Sequence, residues 1–160
     1  RQPNVASCLP TSLAIILGID VQEIFQELGH DGMDVIFPGL QGPKKYRSFH
    51  IQDIVDCCSN RNLAVTRIEA RSQRAEGDKY WELTGEREER FNNYLQDSVG
   101  ILEGLVFGSR GHAVAWDGIR KQLHDPDAVI VDFRNFQIRS YLKIDRISGL
   151  DSAKISSQVL

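Results

Sequence analysis

Near residue 100 the chain changes its hydrophobic period. Upstream, apolar residues recur at a spacing of three and four. Downstream they alternate, through ILEGLVFG, HAVAWDG, QLHDP, AVIVDF and FQIRSYLKI. A 3.6-residue period gathers a stripe on one side of a helix, whereas alternation puts every second side chain on one face of a strand. Helices followed by strands, rather than interleaved with them, predict an α+β domain with N-terminal helices packed on a mostly antiparallel sheet. The 160 residues fit one domain, 1–160, able to bury a core without disulfides or structural metals.

Local signals place the elements. Residues 7–17 (SCLPTSLAIIL) read as a short, heavily buried helix, with Pro10 tolerated in its first turn and Gly18 closing it. Asp20 caps a second helix with Glu23 as capping-box partner; Val21, Ile24, Phe25 and Leu28 form its apolar face and Gly29 ends it. The stretch 30–47, rich in Gly, Pro and basic residues, reads as a long loop, after which Ser48 can cap a third helix carrying Ile51, Ile54, Val55 and Cys58. Residues 63–70 (LAVTRIEA) predict a strand. The polar, mixed-charge segment 71–90 predicts a solvated excursion leading into a helix with Phe91, Tyr94 and Leu95.

Composition narrows the function classes. A net charge of −3 gives no global basic field for nucleic acid or an anionic membrane surface. No run approaches the roughly 18 apolar residues that membrane insertion needs. Three cysteines, two of them adjacent, do not make a disulfide framework, which leads us to expect a reducing, cytoplasmic compartment. The opening Arg1 and the lack of a signal-peptide pattern suggest a domain excised from a longer protein. With neither CxxC nor HExxH present, neither a metal site nor a cofactor is expected.

Cys8 stands where a helix begins. The free N–H groups and dipole of a helix N-terminus favour an anion, and so predict a lowered thiol pKa and a reactive thiolate. Such a nucleophile needs a base and a group to orient it. His112 opens one strand, and the next ends in His124-Asp125-Pro126. A tight turn at Gly118-Ile119 would set His112 opposite Asp125, where a carboxylate can fix the tautomer of the imidazole. Gln2, six residues before Cys8, can donate to a developing oxyanion together with the Cys8 N–H.

These residues, in this order, resemble papain-fold cysteine peptidases. The similarity is greatest to the bacterial branch that includes the leader-peptide-cleaving domains of bacteriocin exporters, the double-glycine leader peptidases. It runs along most of the chain as Gln, Cys, helix, variable middle, strand, His, strand, Asp. The resemblance implies a papain-like fold with Cys8 as nucleophile, His112 as general base and acid, Asp125 as its orienter and Gln2 in the oxyanion hole. The exporter domains usually show Asp-Cys-Gly-Pro at the nucleophile where this chain has Ser7-Cys8-Leu9-Pro10, and the stretch 63–100 is longer and more charged than a minimal domain. A leader-peptide substrate is therefore not carried over.

The expected activity is hydrolysis of a peptide or isopeptide bond, with a protein or peptide as partner. The same acyl-enzyme on a glutamine side chain would make a deamidase or transglutaminase, as in effector- or toxin-like enzymes delivered into a host or target cell. A non-catalytic papain-like binding module is a third reading, against which the full Gln2, Cys8, His112 and Asp125 set argues. Cys57 and Cys58 are expected to be helix packing, and His30 and His50 surface residues. His124, adjoining Asp125 in a strand, should face away from it. Trp116 is expected in the core. Tyr80 and Trp81 could cap that core or line a groove, and the Lys44-Lys45-Tyr46-Arg47 cluster reads as solvated loop.

Overall fold

The computed structural model describes residues 1–37, 45–70, 75–76, 79–80, 86–106, 110–127 and 136–147. Among them are four helices, α1 (Cys8–Leu17), α2 (Val21–Leu28), α3 (Ile51–Ser59) and α4 (Glu86–Leu95). A five-stranded antiparallel sheet is built from β3 (Leu63–Glu69), β6 (Val99–Val106), β7 (Arg110–Asp117), β8 (Gln122–His124) and β9 (Phe136–Arg146). Its order is β3-β9-β6-β7-β8. Two small hairpins stand apart from it, β1 (Val35–Phe37) with β2 (Lys45–Tyr46) and β4 (Ala75–Glu76) with β5 (Lys79–Tyr80). The chain is thus an α+β fold with its helices largely ahead of its main sheet. The expected strand AVIVDF, Trp81, Lys44 and the C-terminal residues lie outside the described residues.

Alternation along the strands divides the core in two. Ile101, Ala113, Leu142 and Ile144 pack with α1, α2 and α3, through Leu9, Leu13, Ile24, Phe25, Ile54, Cys57 and Cys58. Leu102, Val114, Tyr141 and Phe136 pack on the other side with Phe91 of α4. Trp116 joins this second cluster and its Nε1–H donates to Leu95 O at 2.8 Å, tying α4 to the sheet. The pairing of β6 with β9 requires glycine at position 100, where a Cβ would lie 2.2 Å from Leu142 O. β-Branched and aromatic residues elsewhere fit the pleated surface.

Helix α1 is the centre of the first layer, with six consecutive residues from Leu9 to Ala14 buried. Gly18 closes it in the left-handed region, at φ 67°, where its N–H and that of Ile19 take up the last carbonyls. The capping box of α2 forms as the sequence indicates: Asp20 accepts from Gln22 N and Glu23 accepts from Asp20 N. Three local readings need correction. Ser48 does not cap α3; it lies at φ 57°, and His50 is the cap, its N–H donating to Asp53 at 2.7 Å. The stretch 30–47 is not all loop, because it holds β1 and β2. The hairpin between β7 and β8 is longer than a two-residue turn. Ala115 pairs with His124 and Asp117 with Gln122, leaving 118–121 as the connection. Asp117 accepts from Arg120 N at 3.0 Å and Lys121 takes the left-handed conformation at φ 55°, which together stabilise a four-residue loop.

Candidate active site

The start of α1 carries Cys8. Its N-cap residue, Ser7, makes no side-chain cap; the Ser7 hydroxyl instead donates to Asn4 O at 2.8 Å. The first N–H groups of the helix are therefore not consumed by a capping oxygen, and those of Cys8 and Leu9 act on the Cys8 thiol. The N–H of Ala113 in β7 acts on it as well, from the residue that follows His112. One turn further along, the Ser12 hydroxyl donates to Ala113 O at 3.1 Å, which seats α1 against β7 at this level. The tertiary fold thus brings Cys8, across about a hundred residues of chain, to the strand that carries His112.

His112 is engaged on its other side. Its Nε2 lies 2.9 Å from Asp125 Oδ1, and the two side chains are only 3% and 5% exposed. An ionised carboxylate only accepts, so Nε2 carries the proton and donates it, leaving Nδ1 as the nitrogen free to exchange a proton with another group. Asp125 Oδ1 also accepts from Asp127 N at 2.8 Å, which locks the carboxylate where β8 opens out before Pro126. The longer hairpin moves the backbone register by two residues, yet the His112–Asp125 pair survives because diagonal neighbours on one face stay within reach of long side chains. His124, opposite Ala115, is exposed and does not join this pair.

Gln2 is held in place by backbone. Its N–H donates to Pro126 O at 2.8 Å, fastening the start of the chain to the segment that carries Asp125. The side-chain Oε1 is buried without a hydrogen-bond donor among the described residues. The sequence-based set of Gln2, Cys8, His112 and Asp125 is therefore gathered around the junction of α1, β7 and the segment after β8. No hydrogen bond joins Cys8 to the His112 ring among the described residues.

The electrostatics of the thiol reverse one expectation. Burial is the largest influence and pushes the Cys8 pKa up; the N–H groups of Ala113, Leu9 and Cys8 and the Arg110 charge pull it down without prevailing. The helix N-terminus acts in the expected direction, but removal from water opposes it more strongly. At neutral pH the thiol is protonated, and Cys8 is not a standing thiolate. Cys57 and Cys58, fully buried on α3, are pushed up to about 11 by the same desolvation. Both are free, as is Cys8.

Sequence reasoning missed two residues beside this site. Asp127 positions Asp125 through its N–H, and its carboxylate Oδ2 lies 3.4 Å from Arg110 Nη2. The Asp125-Pro126-Asp127 run is an Asx-turn signature that could have revealed the first contact. Of the two histidines expected at the surface, His50 is exposed, while His30 is half-buried with its ring stacked on Phe49, centroids 4.8 Å apart. Among the described residues no cluster of three His, Cys, Asp or Glu could hold a metal ion, and no single helix is long and apolar enough to cross a membrane. Lys45, Tyr46 and Arg47 are exposed, Arg47 lying 3.7 Å from Asp34. Comparison with protein-family models, with curated proteins and with solved structures finds no match.

Proposed function

We propose that the protein is a cysteine peptidase-like thiol hydrolase with a papain-like arrangement, cleaving a peptide or isopeptide bond in a protein or peptide. The observation that carries this reading is the buried His112–Asp125 pair on the strand whose next N–H faces Cys8. A buried imidazole–carboxylate pair is a poor investment in stability alone, since desolvating the carboxylate offsets most of what its hydrogen bond returns. Its placement beside a helix-terminal thiol gives it a chemical use.

In this reading Cys8 Sγ attacks the substrate carbonyl carbon as the thiol proton passes to His112 Nδ1. Asp125 stabilises the imidazolium through Nε2–H. The Cys8 N–H and the Gln2 amide donate to the oxyanion. Collapse of the tetrahedral intermediate breaks the C–N bond, and His112 returns its proton to the departing amine. Water, deprotonated by His112, then cleaves the thioester and restores the thiol. Because burial keeps the resting thiol protonated, proton removal accompanies substrate attack rather than preceding it. Catalytic hydrogen bonds that are open in a free enzyme commonly tighten only around substrate.

The test is to incubate a proteome with wild type and with Cys8→Ala, then read new chain termini and glutamine deamidation by mass spectrometry. Cys8-dependent termini support hydrolysis. A gain of about one dalton at glutamines with no cleavage would replace it by the deamidase chemistry of the same acyl-enzyme. Identical profiles would overturn the enzymatic reading.

A further inference from the structure

Arg110 opens β7 two residues before His112, so both side chains leave the same side of the strand. Each reaches the segment after β8: His112 contacts Asp125, and Arg110 contacts Asp127. The two contacts differ in kind. His112–Asp125 is short and buried, whereas Arg110–Asp127 is 3.4 Å long and the Arg110 side chain is 50% exposed. A charge-assisted N–H···O bond normally closes to about 2.7–2.9 Å, and a guanidinium offers a fork of donors suited to gripping a carboxylate twice. Among the described residues one loose contact engages that fork. Its positive charge lies within Coulombic range of the Cys8 sulfur, and the mechanism above makes no use of it.

We propose that Arg110 is a specificity residue that binds a substrate carboxylate beside the bond attacked by Cys8. The inference rests on the thiol-hydrolase reading and names its substrate class: chains with an Asp or Glu side chain, or a free terminal carboxylate, next to the scissile bond. On binding, the guanidinium exchanges its loose contact with Asp127 for a bidentate one with substrate. Asp127 compensates the charge until then, so a neutral substrate gains nothing from Arg110 and loses nothing to it.

The experiment compares two alkylating probes of similar size on the intact chain at low salt, anionic iodoacetate and neutral iodoacetamide, following each cysteine by peptide mass spectrometry. Wild type should favour iodoacetate at Cys8, relative to a free cysteine peptide. Arg110→Gln should lower the iodoacetate-to-iodoacetamide ratio about three- to tenfold, the order of one partly exposed charge pair. Arg110→Lys should restore part of it, and Asp127→Asn should raise it above wild type. Acyl-enzyme capture with peptides carrying an internal Glu, a C-terminal acid or a C-terminal amide then separates the carboxylate sources; equal capture of acidic and neutral peptides overturns the proposal. If Arg110→Gln slows both reagents equally, the guanidinium acts only on the thiol pKa and the proposal is wrong while the nucleophile reading stands. If Cys8 reacts no faster than Cys57 and Cys58 with either reagent, the nucleophile reading itself fails and this inference falls with it.

Discussion

Asp125 accepts two hydrogen bonds on one oxygen, from His112 Nε2 at 2.9 Å and from Asp127 N at 2.8 Å. That geometry separates what Asp125 does by charge from what it does by position. Asp125→Asn can keep an oxygen in the same place and accept both bonds, losing the negative charge and exchanging the second oxygen for an NH2 group. The difference between a charged and a neutral hydrogen bond is about 1–2 kcal/mol, or about 5- to 30-fold in a rate governed by the imidazolium. Asp125→Ala removes the acceptor altogether and strands a buried Nε2–H. Breaking one partner of a buried pair costs about 3–5 kcal/mol, so the rate loss is about 150- to 5,000-fold if all of it falls on the orientation of the ring, and smaller by whatever share falls on folding. The assay is the second-order rate of Cys8 alkylation by a neutral haloacetamide at pH 7, run beside thermal unfolding so that the two shares are read separately. Expected is wild type faster than Asn, Asn much faster than Ala, and a lowered Tm only for Ala. Equal loss in Asn and Ala would refute the positioning argument; an Ala variant as reactive as wild type would remove the pair from Cys8 activation.

Three further outcomes follow from burial and close contact. Folded Cys57 and Cys58 titrate near 11 and Tyr141 near 12, all raised chiefly by desolvation. The unfolded chain therefore releases these protons first. The stability they contribute is complete below about pH 8.5 and declines as pH rises, toward 11 for the thiols and toward 12 for Tyr141, by about 3 kcal/mol per thiol at most; urea midpoints at neutral and alkaline pH check this, and a flat profile refutes it. Cys8, partly exposed where Cys57 and Cys58 are 0% exposed, should be the first thiol modified, and its rate should still be climbing above neutrality, since burial raises its pKa; a plateau already reached in acid would mean a standing thiolate. Gly100→Ala should destabilise by about 2–3 kcal/mol, because its Cβ would meet Leu142 O at 2.2 Å and the Tyr141 ring at 2.6 Å; an unchanged Tm would show that β6 and β9 can part without loss.

Where a signal is local, the chain states it openly. Leu9, Leu13 and Gly18 mark α1, Asp20 and Glu23 the start of α2, and alternation the strands of the main sheet, because caps and periods act over one or two turns. The hairpin that joins His112 to Asp125 was legible as a neighbourhood but not as a register: Asp117 and Lys121 lengthen the turn, while side-chain reach preserves the pair. His50 displaces Ser48 as the cap of α3 because Ser48 is drawn into the left-handed region with its N–H on Gly32 O at 2.9 Å, a contact between loops.

The site divides along the same line. Residue types and order were enough to single out Gln2, Cys8, His112 and Asp125 as candidates, since a thiol at a helix start and an imidazole–carboxylate pair across one hairpin are local arrangements. Tertiary packing decided the rest. It seated α1 on β7 through Ser12 and Ala113, fastened Gln2 to Pro126, and brought Arg110 within reach of Asp127. It also set the charge state of Cys8, where the helix N-terminus pulls the pKa one way and burial pulls it further the other. A helix dipole can be read from one segment, but desolvation is the sum of everything packed around the sulfur, and only the folded chain supplies that sum.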